Sequence, residues 1–299
     1  MSISLKQLQV FVAITECGST AAAATRVHLS QSAASASLNE LEAVLRTDLF
    51  DRVGKRLVLN DNGRTLLPQA RQMIDAAAIM ARQFTAPNDA DGPGLLIGAS
   101  TTIGNYVLPA ILAQTTNRGT VGRPVVAIAN TADIAGAVAD FKLDIGLVEG
   151  PCHEPDLHVE PWLNDELLIV AAPDHPILRN GRASRVKTST LREARWLLRE
   201  PGSGTREAVE QALLPHLHDL RAAGEFGSAE AIKHAAAAGM GLACLSRLVV
   251  QDLLAMGRLV ELQTTLPPLE RRFYLINHRV KILSTRLQGF LQICRQWQP

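Results

Sequence analysis

The spacing of apolar residues changes character twice along the chain. Over the first 60 residues, short alanine-rich stretches alternate with polar breaks. Ser19 follows Gly18 and is placed to accept one of the N–H groups that a helix leaves unpaired in its first turn. Ala21 to Arg26 have high helix propensity and little bulk, so another helix can pack close across them. His28 and Leu29 read as a turn with Leu29 as its apolar plug, and Ser30 as the cap of the next helix. Leu38, Leu41 and Leu45 recur at steps of three and four, which gives that helix an inward face. Leu49 and Phe50 close the core beneath it. Asp51–Val53 and Arg56–Leu59 then read as strands around a turn at Gly54-Lys55.

From Asn60 the period lengthens. Leu67, Ala70, Ile74, Ala77, Ala81 and Phe84 alternate steps of three and four, the seam of a paired helix. A lone amphipathic helix packed on its own domain gives the same pattern. Asn60 is a good N-cap, and Pro68 in the second turn predicts a kink or a late helix start. Ala86 to Gly94 holds two prolines and two glycines and reads as a hinge.

Beyond the hinge, apolar strands alternate with helical stretches. Strands are expected at Leu95–Gly98, Val125–Ala129, Asp144–Glu149, Glu166–Ala172, Trp196–Arg199, Gly241–Cys244, Leu259–Leu262 and Arg272–Asn277. Helices are expected over Val107–Leu112, over Asp133–Phe141, after Gly204, over Ala229–Ala238 and over Ser284–Trp297. Repeated βα units predict a mainly parallel sheet with helices on both faces. A break near Pro161 and a return near Pro267-Pro268 predict two lobes, with the chain crossing between them twice. The expected organisation is 1–60 as an all-α winged helix-turn-helix and 61–90 as a linker helix and hinge. Residues 91–161 with 267–299 form a first α/β lobe, and 162–266 a second.

Two short helices across a tight turn, followed by a basic hairpin, describe a module that reads DNA. The helix that Ser30 caps begins with short polar side chains. Gln31 can pair bidentately with adenine, and Ser32 and Ser35 can reach bases or phosphates. Arg52, Lys55 and Arg56 would neutralise phosphates along the backbone. Charge alone does not demand this, because residues 1–64 carry seven Lys/Arg against six Asp/Glu. The positive charge is concentrated at the wing turn, where Asp51 is the lone acidic residue.

Composition narrows the remaining choices. A chain of 299 residues has room for two or three domains. A net charge of +1 excludes a uniformly basic nucleic-acid coat protein but not one basic face. No apolar run approaches the ~18 residues of a membrane span. Met1 to Thr15 is amphipathic rather than leader-like. Cys17, Cys152, Cys244 and Cys294 are scattered, which fits reduced thiols. A cytoplasmic protein without membrane contact is expected.

The stretch from Leu5-Lys-Gln-Leu-Gln-Val-Phe through Gly18-Ser19, Ser30-Gln31-Ser32-Ala33, Leu41-Glu42, Leu49-Phe50-Asp51-Arg52 and Gly63 resembles the N-terminal signature of LysR-type transcriptional regulators. The resemblance continues over the whole length. Thr20 stands where that family usually has Phe, Arg46-Thr47 where it has Gly, and Asn60 where it has Thr. The resemblance implies a linker helix that pairs two subunits, and a dimer or tetramer on double-stranded promoter DNA with RNA polymerase as a further partner. It also implies a periplasmic-binding-protein-like, two-lobed domain for a small-molecule effector.

Ligands on open α/β sheets bind beyond the carboxyl ends of the strands. Ser100, Thr101 and Thr102 follow the first such strand and open a helix, where hydroxyls and free N–H groups favour an anion. Ser203, Thr205 and Arg206 do the same in the second lobe, and Arg206 can clamp a carboxylate or oxyanion. Asn130, Thr131, Glu149 and Ser228 sit at equivalent strand ends. Plain helix capping explains any one of these hydroxyls alone. Within the family, GASTTIGNY (98–106), LVEG (147–150), REPGSGTRE (199–207) and AIKHAAAAGMG (231–241) look most like a branch that includes sulfur-assimilation regulators. That likeness implies an inorganic oxyanion such as sulfite or sulfate, or a short carboxylate, with no other cofactor.

Cys152, His153, Glu154, Asp156 and His158 crowd one stretch, but the spacing matches no standard metal site and the prolines beside it suggest an exposed loop, so no metal is expected. The rival readings are an α/β enzyme or a ligand carrier with an accessory helical domain. GxGxxG, GxxxxGK[ST] and GxSxG are all missing, and His153, His158, His216, His218 and His234 have no nucleophile partner in sequence. A carrier has no use for the first 60 residues. A regulator is expected, not an enzyme.

Overall fold

The computed structural model describes residues 2–54, 56–85, 93–116, 122–178 and 185–298. They form two compact units, Met1–Gly92 with Val280–Ile282, and Pro93–Arg279 with Leu283–Pro299.

The N-terminal unit contains α1 (Leu5–Cys17), α2 (Thr20–Arg26), α3 (Gln31–Leu45), β1 (Phe50–Val53), β2 (Arg56–Leu59) and α4 (Asp61–Thr85). Serines start the short helices, as their positions predict. Ser19 Oγ accepts the Ala22 N–H at 3.3 Å, and Ser30 Oγ accepts the Ala33 N–H at 3.2 Å. Ala23 and Ala24 are buried with Leu8, Phe11, Ile14 and Leu41 in one core, so their small size lets α2 sit close to its neighbours. Asn60 Oδ1 accepts the Gly63 N–H at 2.9 Å and so caps α4. Thr47 Oγ1 accepts from Asn62 at 2.8 Å.

Pro68 neither delays nor ends α4, which runs from Asp61 through it to Thr85. This corrects the expectation of a late start. Packing of Leu66, Leu67, Ala70 and Ile74 on the unit's own core offsets the N–H that Pro68 cannot supply. That half of the seam is therefore used internally. Ala81 is exposed, as are Met73 and Met80. The Phe84 side chain, Lys55 and hinge residues 86–92 lie outside the described residues.

The second unit contains β3 (Pro93–Ser100), α5 (Thr101–Tyr106), α6 (Leu108–Thr116), β4 (Arg123–Ala129), α7 (Thr131–Ala139), β5 (Ile145–Glu149) and β6 (Leu157–Ala171). It continues with α8 (Thr188–Glu193), β7 (Arg195–Arg199), α9 (Gly204–Leu217), β8 (Arg221–Phe226) and α10 (Ala229–Ala237). It ends with β9 (Leu242–Ser246), α11 (Arg247–Ala255), β10 (Val260–Glu261), β11 (Leu269–His278) and α12 (Thr285–Gln296). One sheet runs β4-β3-β5-β11-β6-β9-β7-β8, with β10 on β6.

The expectation of a mainly parallel sheet needs correcting. The two wings are parallel, β4 and β5 on β3, and β8 and β9 on β7. Between them β6 and β11 run antiparallel to each other and to their outer neighbours β9 and β5. The chain leaves the first lobe on β6 and returns on β11, so the two crossings point in opposite directions. Nor does the chain break at Pro161. That residue lies within β6 opposite Tyr274, where a register shift between Arg272 and Tyr274 accommodates it.

Each wing is covered on both faces. Ile97, Ile103, Leu147 and Phe290 belong to one core of the first lobe, and Ile134, Val138 and Val148 to the other. Trp196, Leu213 and Ile169 fill one side of the second lobe, and Leu197, Ile232 and Val249 its opposite side.

Candidate functional site

In the N-terminal unit, Ala34, Leu38 and Leu41 hold α3 to the core and leave Gln31 and Ser32 exposed at its first turn, with Ser35 half-buried. Ser30 caps α3 and its hydroxyl lies 3.0 Å from that of Ser32. The hairpin register pairs Arg52 with Leu57 and Val53 with Arg56. Side chains alternate across a strand. Arg52 therefore lies on the face that carries Phe50, Leu57 and Leu59, and Arg56 on the opposite face. Both are exposed. Lys55 is outside the described residues.

In the second unit, the hydroxyl-rich strand ends of the two lobes meet around Glu149, at the end of β5. Its Oε1 accepts the Thr102 N–H of the first lobe at 2.6 Å. Its Oε2 accepts the Thr205 hydroxyl of the second lobe at 2.5 Å and Arg271 Nη1 of the crossing strand β11 at 2.7 Å. Arg271 also donates to Thr205 Oγ1 at 2.8 Å, Thr102 Oγ1 at 3.2 Å and Asp165 Oδ2 at 2.7 Å. The Ser246 hydroxyl holds the other Asp165 oxygen at 2.6 Å. Thr131 Oγ1 donates to the Glu149 carbonyl at 2.9 Å. All of these groups are buried.

The protonation states follow from this arrangement. Burial alone would raise the Glu149 carboxyl, but the Arg271 charge and the Thr205 and Thr102 donors outweigh it and hold the group at about 2. Burial prevails at Asp165, whose carboxyl is pushed above its ordinary value despite Arg271 and Ser246.

The other candidates separate into two groups. Ser100 and Ser203 are buried in the same region. Ser203 caps α9 through the Arg206 N–H at 3.4 Å, whereas Ser100 Oγ forms no hydrogen bond of good geometry. Thr101 Oγ1 accepts Arg199 Nη1 at 2.8 Å, and Arg199 also binds Glu200 through two bonds of 2.7 and 2.8 Å. Asn130 caps α7 through the Asp133 N–H at 2.9 Å. Arg206 does not reach this cluster as a free clamp. It pairs with Glu210 at 2.8 Å and Glu225 at 2.7 Å. Ser228 caps α10 through the Ala231 N–H at 3.4 Å.

Arg271, Asp165 and Ser246 were not singled out by the sequence reading. A signal for the first two exists. Arg271 falls in phase with Leu269, Phe273 and Leu275, and Asp165 with Leu167 and Ile169, so strand alternation turns both charges inward. The Cys152–His158 stretch forms no metal-ligating group among the described residues. His153 pairs instead with Glu207 at 2.9 Å.

The lobes touch closely beside Glu149. The Ala132 N–H donates to the Gly202 carbonyl at 3.0 Å. A Cβ built on Gly204 would fall 1.7 Å from the Glu149 carbonyl oxygen. Only glycine permits α9 to start at this position.

Sequence comparison places these features among known proteins. Residues 5–64 match a family described as bacterial regulatory helix-turn-helix protein, lysR family, and residues 90–299 match the LysR substrate binding domain. The chain is 45% identical over 294 residues to the HTH-type transcriptional regulator YeiE of Escherichia coli strain K12, covering 98% of each. A full-length OxyR variant from Pseudomonas aeruginosa has the same fold, with a TM-score of 0.72 at 21% identity over all of both chains. The Synechocystis CcmR regulatory domain, solved in complex with 2-PG, is 31% identical, with a TM-score of 0.59 over 67% of this chain and 95% of that one.

Proposed function

The chain belongs to the LysR family of bacterial transcriptional regulators, and on that premise we propose that its second unit senses a small anion between the two lobes while its first unit docks on promoter DNA. Being of the LysR type, it is a ligand-responsive DNA-binding regulator and not an enzyme. No helix among the described residues is long and apolar enough to cross a membrane. Ser30, Gln31, Ser32 and Ser35 meet base edges and phosphates in the major groove, and Arg52, Lys55 and Arg56 follow the backbone. The protein acts in the cytoplasm as a dimer or tetramer, and its position on the promoter governs access of RNA polymerase.

One observation carries the effector reading. The Glu149 carboxylate, from the first lobe, is held at the same time by donors of the first lobe, the second lobe and a strand shared by both. A small ligand that competes for Thr102, Thr205 or Arg271 changes how the lobes are tied together. The polar, hydroxyl-lined surroundings favour an oxyanion or a short carboxylate over an apolar effector. The CcmR domain, solved with 2-PG, supports a small-molecule ligand for this fold.

Thermal unfolding of the full-length chain against a panel of inorganic oxyanions and short carboxylates tests this reading. A ligand at 100 times its Kd stabilises by about 2.7 kcal/mol. The shift is expected for at least one anion and is expected to shrink on Thr102→Ala. A panel without any shift refutes the anion reading.

A further inference from the structure

The DNA contacts proposed for α3 stop at Ser35, although the helix runs on to Leu45. Its burial pattern shows which later residues share the outer face. Ala34, Leu38 and Leu41 are buried and Leu45 is half-buried, at steps of four, three and four. Ser32, Ala36, Asn39 and Ala43 follow the same steps two residues ahead of them, and all four are exposed. Two residues turn an α-helix through about 200°. This row therefore lies opposite the core, on the face that a recognition helix turns to the duplex.

Within the row, Ser32 and Asn39 carry hydrogen-bonding side chains. The Ser32 hydroxyl lies in the first turn, 3.0 Å from that of Ser30. Asn39 lies further along the same line, about 10 Å down the helix axis. That distance corresponds to about three base pairs of duplex. Ala36 stands between them and has no bulk to hold the helix away from the groove floor. The Asn39 amide makes no side-chain hydrogen bond among the described residues. Asparagine is a poor helix former in a helix interior, where alanine is the best. The helix thus gives up local stability to present a free amide on its outer face.

The acidic residues of α3 do not oppose a duplex on this face. Gln7 Nε2 of α1 donates to Glu40 Oε2 at 3.2 Å. Glu42 Oε1 accepts the Leu49 N–H at 2.8 Å. Both carboxylates are drawn toward the protein, and Asn39 is left as the polar group of the helix's third turn that meets the groove.

We propose that Asn39 is a specificity-determining residue that reads one adenine in the major groove of each half-site. Its Oδ1 accepts the adenine N6 amine and its Nδ2 donates to N7, the bidentate pairing of an amide with this base. The inference rests on the docking of α3 in the major groove proposed above. It extends the base contacts two turns beyond Ser32.

The experiment is selection of binding sites from a pool of random duplexes by the full-length protein and by its Asn39→Ala variant. The unaltered protein is expected to select adenine at a position about three base pairs from the one read by the first turn. In the variant that position becomes unselective, while the rest of the site persists. The variant is expected to bind the original site about 10- to 100-fold more weakly. The slope of log affinity against log salt stays unchanged, because no phosphate contact is removed. An adenine analogue with carbon in place of N7 is expected to weaken the unaltered complex and to leave that of the variant as it was. Such non-additivity isolates the contact. Alanine favours the helix, so misfolding does not account for the loss. Unchanged base preferences in the variant overturn the proposal. So does a uniform loss over all sequences with a shallower salt slope, which makes Asn39 a phosphate contact. An unaltered protein that selects no sequence overturns the docking of α3 as well.

Discussion

Glu149 shows how one buried side chain of the proposed effector site sets stability. Its folded-state value of about 2 lies below the ordinary 4.5. Ionised Glu149 therefore contributes its full stabilisation above 4.5, and the contribution is lost as pH falls toward 2. Replacing it by Gln leaves Arg271 with Asp165 as its remaining charge partner. Breaking a buried pair in this way costs about 3 kcal/mol. Urea unfolding at neutral pH is expected to show that loss in Glu149→Gln, and the variant is expected to lack part of the acid-induced loss of stability between pH 4.5 and 2. At the opposite end of the chain, Arg46 closes α3 in the left-handed region at φ 55°. Glycine adopts that conformation without the Cβ clash. Since Arg46 is exposed, Arg46→Gly is expected to stabilise the protein by about 0.5–1 kcal/mol, read as a higher urea midpoint with an unchanged slope.

At the scale of elements, the seating of α9 against β5 is the most constrained contact in the site. The Gly204 Cα approaches the Glu149 carbonyl so closely that a methyl group has no room, and the obstacle is backbone rather than a mobile side chain. Gly204→Ala is expected to push α9 off the strand, lower stability by about 1–3 kcal/mol and loosen the Thr205–Glu149 bond. Thermal unfolding checks the first effect. A wild-type melting curve together with unchanged anion binding contradicts this account of the contact.

The same contact shows where sequence reasoning stops. Ser19, Ser30 and Asn60 were legible as caps because a cap is a local device, and all three hold the expected backbone N–H groups, whereas Asn130, Ser203 and Ser228, read as effector candidates, also cap their helices. The strand ends bearing Thr102, Thr205 and Glu149 were legible because a βα unit puts its loops on one side of the sheet. Other elements, β8, α11 and α8 among them, were not. β8 reads Arg-Ala-Ala-Gly-Glu-Phe, which has no β-branched residue to signal a strand. α11 follows β9 without a break in apolar character, so the change of period is hidden. α8 is a single short stretch of six residues. The direction of β6 and β11 was missed because apolar periodicity carries no information about strand polarity. The partners of Arg206 were not legible, since Glu210 and Glu225 hold it from positions four residues and nineteen residues away.

At the scale of the whole molecule, DNA contact and ligand contact reside in separate compact units. The wing contributes charge, and salt reports charge. If Arg52 and Arg56 each contact a phosphate as proposed, Arg52→Ala with Arg56→Ala lowers the slope of log affinity against log salt by about 1.8. Affinity should fall for specific and non-specific DNA alike. An unchanged slope would show that the wing does not touch the backbone. Because the two arginines lie on opposite faces of the ribbon, the single variants separate their shares.

The central claim is that the Glu149 site and the DNA-reading helix are coupled. Coupling between two binding sites is reciprocal by thermodynamic necessity, with typical factors of about 5 to 150. The direct measurement is a closed cycle on the full-length chain. DNA affinity is determined with and without a saturating anion that shifts the melting temperature, and the affinity of that anion is determined with and without promoter DNA. The account predicts a change by the same factor on both sides of the cycle, with both changes abolished in Thr102→Ala. An anion that binds tightly at this site and leaves DNA affinity unaltered would contradict it.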